Sequence, residues 1–196
     1  MKSPKKLYQT LEDRDNPDYV ENHGPFPCRW DNTWLGTGYY YWDHFFDIAK
    51  WWGGHRYKGN CIICEAFCDF HEYKVLDLVG EPQDIEDFKA VVNRMKEEKL
   101  FTNKTTVARV ISYMKDTLKI FDYEAIRVHG INSINAEKIT NKDLIYRLLF
   151  EVKDAFPAPY LDLNPPIQIC IYKKNGLGLR DYKIVYPDHY REEAFF

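Results

Sequence analysis

Seven consecutive residues, Cys61-Ile62-Ile63-Cys64-Glu65-Ala66-Phe67, constrain this chain more than any other stretch. The run follows the turn residues Gly59 and Asn60, is too short for a core helix, and is apolar and β-prone almost throughout, so it reads as a buried strand. Other short extended segments lie at 39–42, 123–128, 167–172 and 182–186, with Pro157, Pro159, Pro165 and Pro166 confining strands to their flanks. The sheet therefore draws strands from both ends of the chain.

Between these segments the period changes. Asp43 can cap a helix on which Phe45, Phe46, Ala49 and Trp52 recur at helical spacing before Gly53-Gly54 stops it. From an N-cap at Asp84, Phe88, Val91, Val92 and Met95 form an apolar stripe opposite Lys89, Arg94, Glu97 and Glu98. A second helix starts at Thr105 or Thr106 and carries Val107, Val110, Met114 and Leu118 on its stripe. The segment 144–152 reads equally as helix or strand. The sum is one α+β domain over 1–196 with a helical insertion at about 84–118.

At 196 residues and 45% apolar composition the chain can build a core without metals or disulfides. Its 30 acidic and 27 basic residues give a net charge of −3, which excludes the footprint of a dedicated duplex-binding protein but leaves room for a local basic groove. Asp43, Asp47 and Lys50 interrupt the most apolar region, and no window approaches the ~20 apolar residues that span a bilayer. The first residues lack the apolar run of a secretory signal, and five cysteines, an odd number, favour reduced thiols; cytoplasm is the expected compartment.

Gly36-Thr37-Gly38-Tyr39-Tyr40-Tyr41-Trp42-Asp43, followed by Ala49 in the next helix, resembles the central motif of the ADP-ribosyltransferase superfamily, in its poly(ADP-ribose) polymerase-like or diphtheria-toxin-like branch. Three further segments are similar to that family in order. Leu7-Tyr8-Gln9-Thr10 sits where it has an aromatic-His-Gly-Ser/Thr strand. Gly59-Asn60-Cys61-Ile62-Ile63-Cys64-Glu65-Ala66 looks like its Gly-apolar-Glu-Val strand. Pro166-Ile167-Gln168-Ile169-Cys170-Ile171-Tyr172 resembles the strand that carries its catalytic Glu.

The resemblance implies a split antiparallel β-sheet of ADP-ribosyltransferase type with flanking helices, and NAD, as substrate, in the cleft between its halves. It puts Gln9 at the family's His position, Tyr40 at its Tyr and Gln168 at its Glu, so one of three signature residues is retained. Tyr40 and Gln168 are the implied catalytic positions. Gln9, Thr10, Gly36, Gly38 and Tyr40 are the implied NAD-binding ones. The implied function is transfer of ADP-ribose, in single units, to an acceptor left open between protein and nucleic acid. The alternative is a catalytically silent relative that binds NAD, ADP-ribose or a protein partner through the same cleft.

The chemistry explains why the two glutamines matter. Breaking the nicotinamide–ribose bond develops oxocarbenium-like charge, which the family's Glu stabilises. Gln168 can accept a hydrogen bond but lacks the charge, and bonds to charged groups contribute ~1.5–3 kcal/mol against ~0.5–1.5 for neutral ones, so a tenfold or larger penalty is expected.

Without the resemblance, Tyr40 reads as core, Gln9 and Gln168 as ordinary polar strand residues, and the two glycines as a turn. Cys61-x2-Cys64-x3-Cys68-x2-His71 holds enough ligands for zinc. The odd separation of Cys61 and Cys64, however, puts them on opposite faces of one strand, and no metal is expected. His23, His44, His55 and His129 are scattered, and no spacing selects one as the missing anchor.

Overall fold

The computed structural model describes residues 4–130, 147–150 and 160–191. Strands β1 (Lys5–Glu12), β2 (Tyr39–Asp43), β3 (Cys61–Cys68), β4 (Val75–Asp77) and β5 (Ala125–His129) are followed by the short β6 (Arg147–Leu149) and β7 (Tyr160–Asp162). The last two are β8 (Ile167–Ile171) and β9 (Arg180–Tyr186). Helices are α1 (Pro17–His23), α2 (Phe46–Tyr57), α3 (Pro82–Glu97) and α4 (Val107–Ser112), the last continuing as a π-helical turn to Leu118. Seven strands form one sheet in the order β4-β5-β8-β2-β1-β3-β9, and β6 pairs with β7 separately. The architecture is α+β.

The expectation of a wholly antiparallel sheet needs one correction: β4 and β5 run parallel. After β4 the chain passes through α3 and α4 before returning beside its starting strand, and a crossover of that length is what a parallel pair requires. The two helices expected as an insertion are thus the connection itself. Their Val91, Met95, Val110, Ile111 and Met114 pack on Leu76, Ile126 and Cys170 of the sheet. On the same sheet face, α2 covers Tyr8, Trp42 and Ile63 through Ile48 and Ala49. The opposite face is closed by α1, where Val20 meets Ile62, Cys64 and Ile184, and by Leu177 over Leu7, Tyr41, Ala66 and Ile169.

Three helix boundaries differ from the sequence expectations. Helix α2 runs through Gly53 and Gly54 to Tyr57 and ends on Lys58 at φ 55°. Gly53 is there because a Cβ would collide with the Cys61 sulfur, so it allows a close approach of helix to strand and does not terminate the helix. Asp43 is not the cap of α2; it lies in β2, and its Oδ2 accepts from Arg127 at 2.8 Å and from Lys5 at 3.3 Å. Glu81 caps α3, accepting from the Gln83 amide at 3.4 Å with Pro82 in the first turn. Asp84 instead accepts from the backbone N–H of Asp77 at 2.6 Å, tying α3 to β4. Thr106 does cap α4. Of the ambiguous segment 144–152, residues 147–149 are strand, and 144–146, 151 and 152 lie outside the described residues.

The pairing of β1 opens a cleft in the sheet. Strand β1 pairs with β3 along its whole length, from Lys5↔Cys68 to Glu12↔Cys61. Its pairing with β2 is confined to Leu7↔Asp43 and Tyr8↔Trp42. Beyond that point β2 continues against β8 alone, through Tyr41↔Ile169 and Tyr40↔Cys170. The sheet therefore forks at Tyr8 and Trp42, and the loop between α1 and β2 enters the opening.

A cleft at the fork of the sheet

The loop is held in the fork by a side chain acting as a strand would. Gln9, 3% exposed, donates Nε2–H to the Phe26 carbonyl at 2.9 Å and accepts the Phe26 N–H on Oε1 at 3.0 Å. The same Oε1 accepts from the Tyr182 hydroxyl at 2.8 Å, and Nε2 also reaches the Tyr40 carbonyl at 3.5 Å across the fork. An amide has two donors and two acceptor lone pairs, and all four are engaged. Further along the loop, Cys28 and Gly38 form an antiparallel bridge, with Cys28 N–H to the Gly38 carbonyl at 2.7 Å.

Around this strut lies a cleft of about 720 Å³. Gln9, Thr10, Tyr40 and Gln168 all line it, although they come from β1, β2 and β8. Gly36 and Gly38, the other two implied binding positions, are not among its lining residues. Gly36 takes φ +85°, which favours glycine, whereas Gly38 lies where a Cβ would strike the Cys170 sulfur.

Each sequence-predicted residue has a definite setting. The Tyr40 hydroxyl donates to the Gly36 carbonyl at 2.7 Å and accepts from the Leu35 N–H at 2.8 Å, and burial holds it protonated far above the usual phenol range. The Thr10 hydroxyl donates to the Ala49 carbonyl at 3.0 Å, joining β1 to α2. Gln168 is different. It sits on β8, one strand in from the vertex of the fork, in register with Trp42 on one side and Val128 on the other, and is 8% exposed. Its Oε1 is buried with no hydrogen-bond partner among the described residues. A buried carbonyl oxygen left unpaired costs about 1–3 kcal/mol.

The walls are what the sequence reading missed. Trp30, Trp34, Trp42 and Trp52, four of the chain's five tryptophans, line the cleft together with Tyr57. Trp34 meets Trp52 edge-on at 6.2 Å between centroids, and Trp52 tilts against Trp42 at 5.9 Å. Of the charged lining residues, Glu12 and Arg14 satisfy each other, with Arg14 Nη2 to Glu12 Oε2 at 2.7 Å. Arg56 lies over the Trp30 ring at 4.3 Å and has no ion pair among the described residues. His55 is the histidine that the fold brings to the cleft. The spacing of Trp52, His55 and Arg56 on α2 was the available signal, since residues three and four apart share a helix face.

Strand β3 places Cys64 and Cys68 on one sheet face and Cys61 on the other. Among the described residues no group of three or more His, Cys, Asp or Glu side chains is arranged to hold a metal. No helix of the described residues is long and apolar enough to cross a membrane.

The cleft can thus accept a flat, donor-bearing ligand between aromatic walls, with a cation at its mouth. No family model, no curated protein and no solved structure matches the chain.

Proposed function

We propose that this chain is an ADP-ribosyltransferase-like protein that takes NAD into the fork between β1 and β2. The observation that carries the reading is convergence. Positions 9, 10, 40 and 168, assigned from separate segments of sequence, line one cleft, and Gln168 carries a buried acceptor with no partner among the described residues. The forked sheet supports the finer fold assignment, a split sheet of ADP-ribosyltransferase type, because a partly opened β1·β2 pair produces such a cleft.

The residues fit the dinucleotide unevenly. Gln168 Oε1 can accept from a ribose hydroxyl or a carboxamide, and the half-buried Trp52 in the wall can stack a planar ring. Gln9 fits a different task. With its amide engaged on Phe26, Tyr40 and Tyr182, it holds the loop that forms the cleft, and a ligand could use it only by displacing one of those partners.

Bound in the cleft, NAD supplies an activated glycosidic bond whose cleavage leaves cationic character on the ribose. At that point this chain offers a neutral amide, and among the described residues the one carboxylate lining the cleft, Glu12, is already paired with Arg14. These two features favour a second reading in which the cleft binds NAD or ADP-ribose and does not cleave the bond.

Nicotinamide release from NAD separates the two. Turnover above background by the wild type, raised tenfold or more by Gln168→Glu, supports the transferase. NAD binding with no release by either protein supports the binding module, and neither binding nor release contradicts both.

A further inference from the structure

The mouth of the cleft carries a second feature that the dinucleotide does not require. Trp30 and Trp34, in the loop that enters the fork, are 43% and 46% exposed. They stand beside exposed His55 and Arg56 of α2. Arg56 lies over the Trp30 ring at 4.3 Å, a placement that leaves N–H donors of its guanidinium free to face outward. Next to it in α2, His55 lies nearly parallel to Trp51 one turn earlier, 11° apart in plane at 5.7 Å. Large exposed aromatics gathered at a cleft mouth mark a binding surface.

The charge pattern selects among occupants. The chain as a whole carries −3, yet among the described residues the cleft lining holds Glu12, Arg14 and Arg56 as its full charges, and the first two cancel. Along the loop, exposed Arg29 and Asp31 flank Trp30 and offset each other. A guanidinium with no ion pair among the described residues therefore remains beside exposed indole rings. That combination matches an anion carried next to a flat π-face. An acidic peptide has the charge without the face, and a neutral sugar has neither.

We propose that Trp30, Trp34 and Arg56 form a rim subsite that takes a base of a single-stranded nucleic acid with its adjoining phosphate. Sequence-tolerant stacking on aromatics beside a cation is the ordinary means of holding such strands, and a duplex cannot present its base faces to it. As an assignment of the acceptor, the proposal rests on the reading of the cleft as an ADP-ribosyltransferase site; as a strand-binding site it does not.

The test is fluorescence anisotropy of a labelled 15-nucleotide thymidine strand with the full-length chain, wild type and the variants Trp30→Ala, Trp34→Ala and Arg56→Lys. Each is checked for native circular dichroism. The wild type is expected to bind. Each tryptophan variant should weaken binding about fivefold or more, the value of one stacked base. Arg56→Lys, which keeps the charge and loses the planar stack, should fall between. Saturating NAD should leave strand binding in place. No binding by the wild type overturns the proposal, as does equal affinity for a duplex of the same length or displacement by polyglutamate at equal charge. Displacement by NAD also overturns it, by giving the rim to the dinucleotide. Strand binding by a chain that shows no NAD binding supports the subsite and overturns its role as an acceptor site.

Discussion

Replacing Gln9 with Ala separates a strut from a ligand anchor. The side chain makes three short hydrogen bonds, to the Phe26 carbonyl at 2.9 Å, from the Phe26 N–H at 3.0 Å and from the Tyr182 hydroxyl at 2.8 Å. All lie at a residue that is 3% exposed, so water does not readily replace the lost partner. At ~0.5–1.5 kcal/mol for each bond, with the Phe26 groups left unpaired, the loss is about 2–4 kcal/mol. For a chain of this size about 2–4 °C accompanies each kcal/mol, so thermal unfolding should shift down by roughly 5–15 °C. Differential scanning calorimetry reads the shift, and limited proteolysis should show new cleavage between residues 24 and 38. Gln9→Glu keeps the two acceptor bonds but turns a carboxylate toward the Phe26 and Tyr40 carbonyls, and should be no better. A Gln9→Ala protein that unfolds within a degree of wild type, resists proteolysis and has lost NAD binding would refute the strut.

Other perturbations test other parts. Arg127 spans buried Asp43 and Asp77, with Nε at 2.8 Å from the first and Nη1 at 3.1 Å from the second; Arg127→Met leaves two carboxylates without it and should cost ~3–5 kcal/mol in urea unfolding. Gly38→Ala must push β2 off Cys170, whereas Gly36→Ala meets nothing within 4 Å and has only the positive φ to overcome. The first should lower the thermal midpoint several times more than the second, whose cost is about 1 kcal/mol. Burial pushes the thiols of Cys64, Cys68 and Cys170 up to about 12 from a usual 9.0. Between those values the unfolded chain has given up protons that the folded chain keeps, so stability is full below about pH 9 and falls as pH rises toward 12. Urea midpoints measured across that range check the sign, and a flat profile would contradict it.

Much of the sheet was legible because its strands declare themselves locally. The run Cys61–Cys68 is buried on both faces and reads as nothing else, and Thr106 announces its helix by a capping side chain. What stayed hidden depended on tertiary partners. Asp43 and Asp84 look like caps, but distant groups claim them: Arg127 the first, the β4 backbone the second. Gly53 looks like a stop until Cys61 is seen against it. The four predicted lining positions came from ordered motifs, while Trp30, Trp34 and Arg56 belong to a loop and a helix face that meet only after the fork has formed. Gln9 shows both sides of this: its place in the cleft was foreseeable, but its pairing with Phe26 could not be read from spacing.

The central claim is that Gln168 faces a ligand that completes it. Calorimetric titration of NAD into the wild type and into Gln168→Leu, with the thermal midpoint of each unliganded protein, tests it directly. Leucine removes a buried acceptor that has no partner, so the unliganded variant should be at least as stable as wild type, while its affinity for NAD should fall tenfold or more. Equal NAD affinity in the two proteins, or no heat of binding in the wild type, would contradict the account.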